Sequence, residues 1–148
     1  MPIVPFDSTH TDGFRSLVAD TLLEFGFERD EELDRDLDDP GATYAALWIA
    51  EEGGTVVGSA ALRELGGGAV ELKRMYLRPD RRGRGLGKEL LALALEWARE
   101  HRMSVVQLDT SERMLAAQRL YEAHGFERVV GSAPRQGQCR LLYELRLR

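Results

Sequence analysis

Apolar positions along the chain recur at helical spacing first and at strand spacing afterwards. Phe14, Leu17, Val18, Leu22 and Phe25 share one face of a 3.6-residue period, which predicts a helix over 11–25 with Thr9 or Thr11 as its cap. A second, acidic helix is expected from about 30 to 37, stopping before Pro40-Gly41. The stretches TYAALWIAEE and TVVGSAALRE then read as two strands joined at Gly53-Gly54, a hairpin signal. Gly66-Gly67-Gly68 breaks the chain again, and AVELKRMYL at 69–77 reads as another strand.

The strongest helical pattern follows a glycine-rich loop, over 88–100. Leu86, Leu90, Leu93 and Trp97 fall at 4-3-4 spacing, and Leu91, Ala94 and Ala98 widen the apolar stripe. SVVQLDT reads as a short buried strand, and 114–123 as a helix closed by His124-Gly125, with glycine available for a left-handed cap. The C-terminal CRLLYELRLR places Cys139, Leu141, Tyr143, Leu145 and Leu147 on one face, the alternation of a half-buried strand. The order is helix, helix, three strands, helix, strand, helix, one or two strands. That order predicts one α/β domain over 1–148 with a mixed sheet.

Composition narrows the class. A chain of 148 residues with 43% hydrophobic and 30% charged residues has the make-up of a soluble globular domain. Apolar runs fall far short of the ~20 residues that cross a bilayer, and MPIVPFDSTH has no signal-like n-region and h-region. The lone Cys139 has no internal disulfide partner, so a reducing, cytoplasmic setting is expected, with the thiol packed or at a strand end. His10, His101 and His124 are scattered without metal-ligand spacing, and no metal is expected. Net charge is −5 but unevenly placed: residues 28–39 carry eight acids against two arginines, and residues 73–88 carry seven bases against one acid.

The basic segment holds YLRPDRRGRGLGKELL, residues 76–91. A dinucleotide fingerprint, G-x-G-x-x-G, would need glycine at Lys88 or Leu90, and a Walker loop would need glycine at Arg82 and a hydroxyl at Glu89. Both templates fail. What remains is three alternating glycines, Gly83, Gly85 and Gly87, between a strand and a strong helix. A helix N-terminus offers unpaired N–H groups and a dipole that favours anions, and glycine lets a phosphate approach the backbone. Arg82, Arg84 and Lys88 can add charge-assisted hydrogen bonds. A nucleic-acid contact is disfavoured by the net charge and by the lack of aromatics within 81–88.

The pattern Arg82-x-x-Gly85-x-Gly87 resembles the pyrophosphate loop of the GNAT superfamily of acyl-CoA-dependent N-acyltransferases. ELKRMYLRP upstream and LDT…LYEAHGFERV downstream extend the likeness over residues 55–130. The resemblance implies a mixed, mostly antiparallel sheet with a splayed parallel pair (69–77 and 104–110), helices on both faces, and acetyl-CoA as co-substrate. It implies that pantetheine pairs with the backbone of Met75, Tyr76 and Leu77, and that the pyrophosphate rests on Gly83, Arg84, Gly85, Leu86, Gly87 and Lys88 beside Arg82. Tyr121 matches the tyrosine that donates to the departing thiolate. Glu71, eleven residues before Arg82, matches the glutamate of the histone-acetylating branch; it is a candidate base, directly or through water, or else merely pairs with a neighbouring base or binds substrate. An amide within 75–77 would polarise the carbonyl. One departure is Met114, where many relatives carry asparagine seven residues before the tyrosine.

The same resemblance puts the first two helices and the C-terminal hairpin around the acceptor, a primary amine of a small molecule. The acidic run 28–39 suggests a cationic amine, though a solvated surface is the simpler explanation. A protein N-terminus or lysine as acceptor, a catalytically silent acyl-CoA sensor, and a homodimer stay open.

Overall fold

The computed structural model describes residues 2–129 and 140–147. Its seven-stranded sheet has the order β1-β2-β3-β4-β5-β7-β6. The strands are β1 (Ile3–Pro5), β2 (Ala46–Glu52), β3 (Thr55–Gly66), β4 (Ala69–Leu77), β5 (Val105–Ser111), β6 (Glu127–Val129) and β7 (Arg140–Arg146). The helices are α1 (Thr11–Glu24), the one-turn α2 (Pro40–Thr43), α3 (Leu86–Glu100) and α4 (Leu115–Ala123). All strand pairs are antiparallel except β4 with β5.

Strand β3 shows how the layers form. Val56 to Leu62 is buried throughout, yet neighbours along it serve different cores. Ala60 and Leu62 pack with Leu90, Leu91 and Ala94 of α3, while Ala61 packs with Phe14, Leu17 and Val18 of α1. Alternate side chains leave a strand on opposite faces, so helices cover both sides of the sheet centre and the strand reads as a continuous apolar run. At the far edge, Leu141 and Tyr143 of β7 enter the α3-side core with Tyr121 and Phe126, as the alternation predicted. Cys139 lies outside the described residues.

Four expectations shift. The edge strand β1 was not anticipated: three residues ending in proline carry little periodicity, and proline is tolerated where the strand faces no second partner. The cap of the first helical segment is Asp7, whose carboxylate accepts from the Thr9 amide at 2.8 Å while His10 Nδ1 accepts from the Asp7 amide at 3.0 Å. The buried face of α3 is rotated from the predicted stripe: Leu86, Leu90, Leu91, Ala94, Leu95 and Ala98 are buried, whereas Trp97 is half-exposed and stacks on His101 at 3.8 Å.

The fourth is the acidic run, which forms turns and a single 3-10 turn (Arg35–Leu37) in place of a helix. Its side chains compete with the backbone, as aspartates do. Asp30 accepts from the amides of Glu32 and Leu33, both at 2.9 Å, and Asp34 accepts from the Asp30 amide at 2.7 Å. Asp39 caps α2 by accepting from the Ala42 amide, so Pro40 starts a helix at its first position and does not end one.

Asp34 and Asp36 turn inward because Arg74 meets them. Arg74 donates from Nη2 to Asp34 at 2.8 Å and to Asp36 at 2.7 Å, and from Nε to Asp36 at 2.8 Å. The Tyr44 hydroxyl also donates to Asp36. Arg74 occupies a bulge of β4: Ser59 opposes Tyr76 and Ala61 opposes Lys73, leaving two residues of β4 against one of β3. Its φ of 52° lies in the left-handed region, and its carbonyl accepts from Ser59 Oγ at 2.6 Å. A long-range ion cluster thus clamps the α1–α2 connection to the strand that bears the bulge.

Burial opposes ionisation of Asp36, but the Arg74 hydrogen bond and charge outweigh it and hold its carboxyl below the usual carboxylate range. The folded state therefore binds this proton less readily than the unfolded state. Its contribution to stability is present above an unfolded pKa of about 4 and is lost as pH falls through the lower folded value. Arg74→Met should cost about 3–5 kcal/mol in urea unfolding at pH 7, because two buried carboxylates lose their counter-charge. Adding Asp34→Asn and Asp36→Asn to that variant should recover part of the loss and flatten the acid limb.

Candidate active site

Strands β4 and β5 share only three paired positions, Ala69 with Val105, Val70 with Val106 and Glu71 with Gln107. Beyond them β4 stays with β3 as far as Leu77, and β5 stays with β7 as far as Ser111. The strands part, and each loses a ladder partner on its inner edge.

Two cavities flank the opening. One, of about 340 Å³, lies between the end of β4, the loop before α3, and α4. Met75, Tyr76 and Leu77 form one wall, and Ala116, Ala117, Leu120 and Tyr121 form the facing wall. Arg82, Gly83, Gly85, Gly87 and Lys88 line its mouth, with Thr21 and Phe25 of α1. The second, of about 60 Å³, lies toward β7 and is lined by Lys73, Arg74, Asp109, Thr110 and Arg140 together with Leu22, Leu33 and Leu72. Met75, Tyr76, Met114 and Tyr121 line both and make the partition between them.

The loop is shaped for close approach. Gly83 and Gly85 have φ of 78° and 85°, and a side chain at either would meet no atom within 4 Å, so their outer faces are open. Gly85 is the N-cap of α3 and supplies no side-chain cap, leaving the first-turn amides available. At Gly87 a Cβ would sit 3.4 Å from Leu120 and 3.6 Å from Leu77, so glycine there keeps the two walls apart. Lys88 and Arg84 are exposed and have no carboxylate partner among the described residues.

Several expected site residues fall differently. Arg82 lines the cavity mouth, but its guanidinium is already engaged: it pairs with Glu24 at the end of α1, at 2.5 and 2.8 Å, and donates to the Leu77 carbonyl at 2.9 Å. Arg84 points outward and the Leu86 side chain enters the core, so neither lines the cavity. Glu71 is ion-paired to Arg63 at 2.7 Å at the closed end of the splay and lines neither cavity. The ion-pair partner foreseen as one alternative is therefore present, as Arg63. Of the acidic run, only Leu33 reaches the second cavity.

Tyr121 is 5% exposed, with its ring against Phe126 and Tyr143, and its hydroxyl has no hydrogen-bond partner among the described residues. Burial, reinforced by the neighbouring Tyr76 phenol, pushes its pKa well above the ordinary tyrosine value. It is a phenol, not a phenolate, at neutral pH. Met114, standing where asparagine was expected from the resemblance, accepts only a weak contact from Thr110 Oγ1 at 3.5 Å. Gln118, one turn later, donates to the carbonyls of Ser111 and Glu112 at 3.1 Å each and secures the end of β5. Phe25 was legible only as a helix-face position, and Ala116 and Ala117 gave no sign of lining a cavity; only the i, i+4 spacing of Ala117 and Tyr121 hinted at a shared face. Among the described residues no group of His, Cys, Asp and Glu could hold a metal ion, and no helix is long and apolar enough to cross a membrane.

A splayed parallel pair beside a glycine-rich helix N-terminus defines the acyl-CoA transferase class, and known proteins agree. Residues 13–126 match the sequence model of the acetyltransferase (GNAT) family. An uncharacterised N-acetyltransferase of Schizosaccharomyces pombe is 35% identical over 123 residues, 78% of this chain and 76% of its own length. The uncharacterised N-acetyltransferase YjgM of Escherichia coli is 37% identical over 123 residues, 76% of this chain and 74% of its own length. The fold is shared with YncA of Salmonella typhimurium, solved with acetyl-CoA, at a TM-score of 0.82 and 22% identity over 100% of this chain and 94% of that one. The chain belongs to the GNAT family and is an N-acetyltransferase.

Gly85→Ala tests the loop geometry. A Cβ fits the space but not the left-handed backbone, so the variant should fold with stability lowered by about 1–2 kcal/mol in thermal or urea unfolding. An unchanged midpoint would show that this cap is not held at positive φ.

Proposed function

We propose that the larger cavity takes acetyl-CoA and that the protein moves its acetyl group to a primary amine of a small molecule by direct attack in a ternary complex. The unpartnered, buried Tyr121 hydroxyl on the wall common to both cavities carries this reading. A buried hydroxyl without a partner costs roughly 1–3 kcal/mol, and a ligand atom offers the missing acceptor. The donor side fits the substrate on its own terms. Apolar walls from Met75, Leu77, Ala117 and Leu120 suit a pantetheine arm, and the open faces of Gly83 and Gly85 with Lys88 suit a pyrophosphate.

In the reaction the amine nitrogen forms a bond to the thioester carbonyl carbon, and the carbon–sulfur bond breaks. The products are an amide and free CoA thiol. The thiolate takes the Tyr121 proton, and the amine's surplus proton passes to solvent through the acceptor cavity, from which Tyr121 is reprotonated. The β4 bulge takes Arg74 and Met75 out of the paired register with β3, and an amide within 75–77 serves as the donor to the carbonyl oxygen as its charge grows.

Tyr121→Phe should lower kcat by about 10²–10⁴-fold, the usual worth of a general acid, with acetyl-CoA affinity within twofold by calorimetry. Turnover at the wild-type rate would remove Tyr121 from the mechanism. Glu71→Gln should leave kcat within a few-fold, since its carboxylate faces Arg63; a loss of a hundredfold would reinstate it as the base.

A further inference from the structure

The charges around the smaller cavity are not balanced evenly. Arg74 spends its donors on Asp34 and Asp36, which stand behind it and do not line the cavity. Arg140 donates through Nη2 to Asp109, leaving other guanidinium N–H groups, and lies 5.8 Å from the centre of the Phe27 ring. Lys73 has no hydrogen bond or ion pair among the described residues, although it is only partly exposed and faces this cavity. Among the described residues Asp109 is the only carboxylate that lines the cavity, and it is already engaged.

The acidic run does not redress this. Asp30, Asp34 and Asp39 accept from backbone amides, and Asp38 pairs with Arg29 at 3.3 Å. A cationic group lodged here would meet Lys73, Arg74 and Arg140 with no free carboxylate to receive it. An anionic group would meet an ammonium from β4 that makes no hydrogen bond or ion pair among the described residues, acting on Asp36 only through its charge, and a guanidinium from β7, one on each side of the splay. Charge-assisted bonds of that kind are about twice as strong as neutral ones.

Resting on the acetyl-transfer reading above, we propose that the acceptor is an amino-carboxylate, an amine carrying a carboxylate that Lys73 and Arg140 hold in the smaller cavity. Its nitrogen then points past Tyr76 toward the partition with the larger cavity. Cations beside the nitrogen also favour its neutral, nucleophilic form. Lys73 and Arg140 select the substrate, and the acidic run 28–39 is scaffold, not a cation site.

The test uses the full chain with acetyl-CoA, thiol release as readout, and matched acceptors: L-amino acids, their C-terminal amides, and the corresponding decarboxylated amines. The acids should exceed both neutralised sets in kcat/KM by about 10- to 100-fold, the worth of one charged hydrogen bond. Lys73→Gln should raise KM for the acids by a similar factor while leaving the KM for acetyl-CoA and circular dichroism unchanged. Lys73→Glu should invert the order in favour of the decarboxylated amines. Equal turnover of acids, amides and amines, or an order that Lys73→Gln does not alter, overturns the carboxylate subsite and leaves acetyl transfer standing. Absence of thiol release with every acceptor, in protein that binds acetyl-CoA by calorimetry, overturns both.

Discussion

The separation of β4 from β5 after three paired positions governs everything the site can do. Continued pairing would satisfy the inner edges of both strands and leave no room between them. Stopping it exposes main-chain groups in the middle of a sheet, where an unpaired polar group is costly unless something else answers it. The bulge at Arg74, the partition built from Met75, Tyr76, Met114 and Tyr121, and the Ser111 and Glu112 carbonyls tied to Gln118 all serve that opening. None would have a purpose in an unbroken ladder.

The opening has two unlike sides. Toward α3 the wall is mostly backbone, glycine and aliphatic side chains; toward β7 it is ionisable side chains from β4, β5 and β7. A main-chain surface reads a ligand's shape and its phosphates and tolerates many substitutions. A side-chain surface reads charge and changes with a single codon. The Arg74 cluster bridges the two, since it fixes both the bulge and the connection that brings Leu33 to the smaller cavity.

What could be read from the sequence followed from range. Strands β2–β5 and β7 and helices α1, α3 and α4 announce themselves through local periodicity, and the glycine loop through local spacing. The cavity mouth was foreseen at Gly83, Gly85, Gly87 and Lys88 for the same reason. Contacts across the chain were hidden. Arg82 was read from its spacing alone, and its pairing with Glu24, 58 residues away, lay outside that reading. Asp34 and Asp36 looked like solvated acids until Arg74, 40 and 38 residues on, drew them inside. Lys73 and Arg140 meet at one cavity only because β7 pairs with β5 in a register that sets Arg140 beside Ser111.

Gln118 carries a lesson for reading relatives of this protein. An amide at the first turn of α4 and an amide one turn later can reach the same strand end, because positions 114 and 118 lie on one face of the chain there. A motif search that scores asparagine at the earlier position counts this sequence as degenerate, although the mechanical tether is intact. Here the tie between the two elements is made by a different letter, one turn further along the helix. Sequences that have lost the letter should be sorted by whether another side chain restores the tie before they are dismissed as inactive.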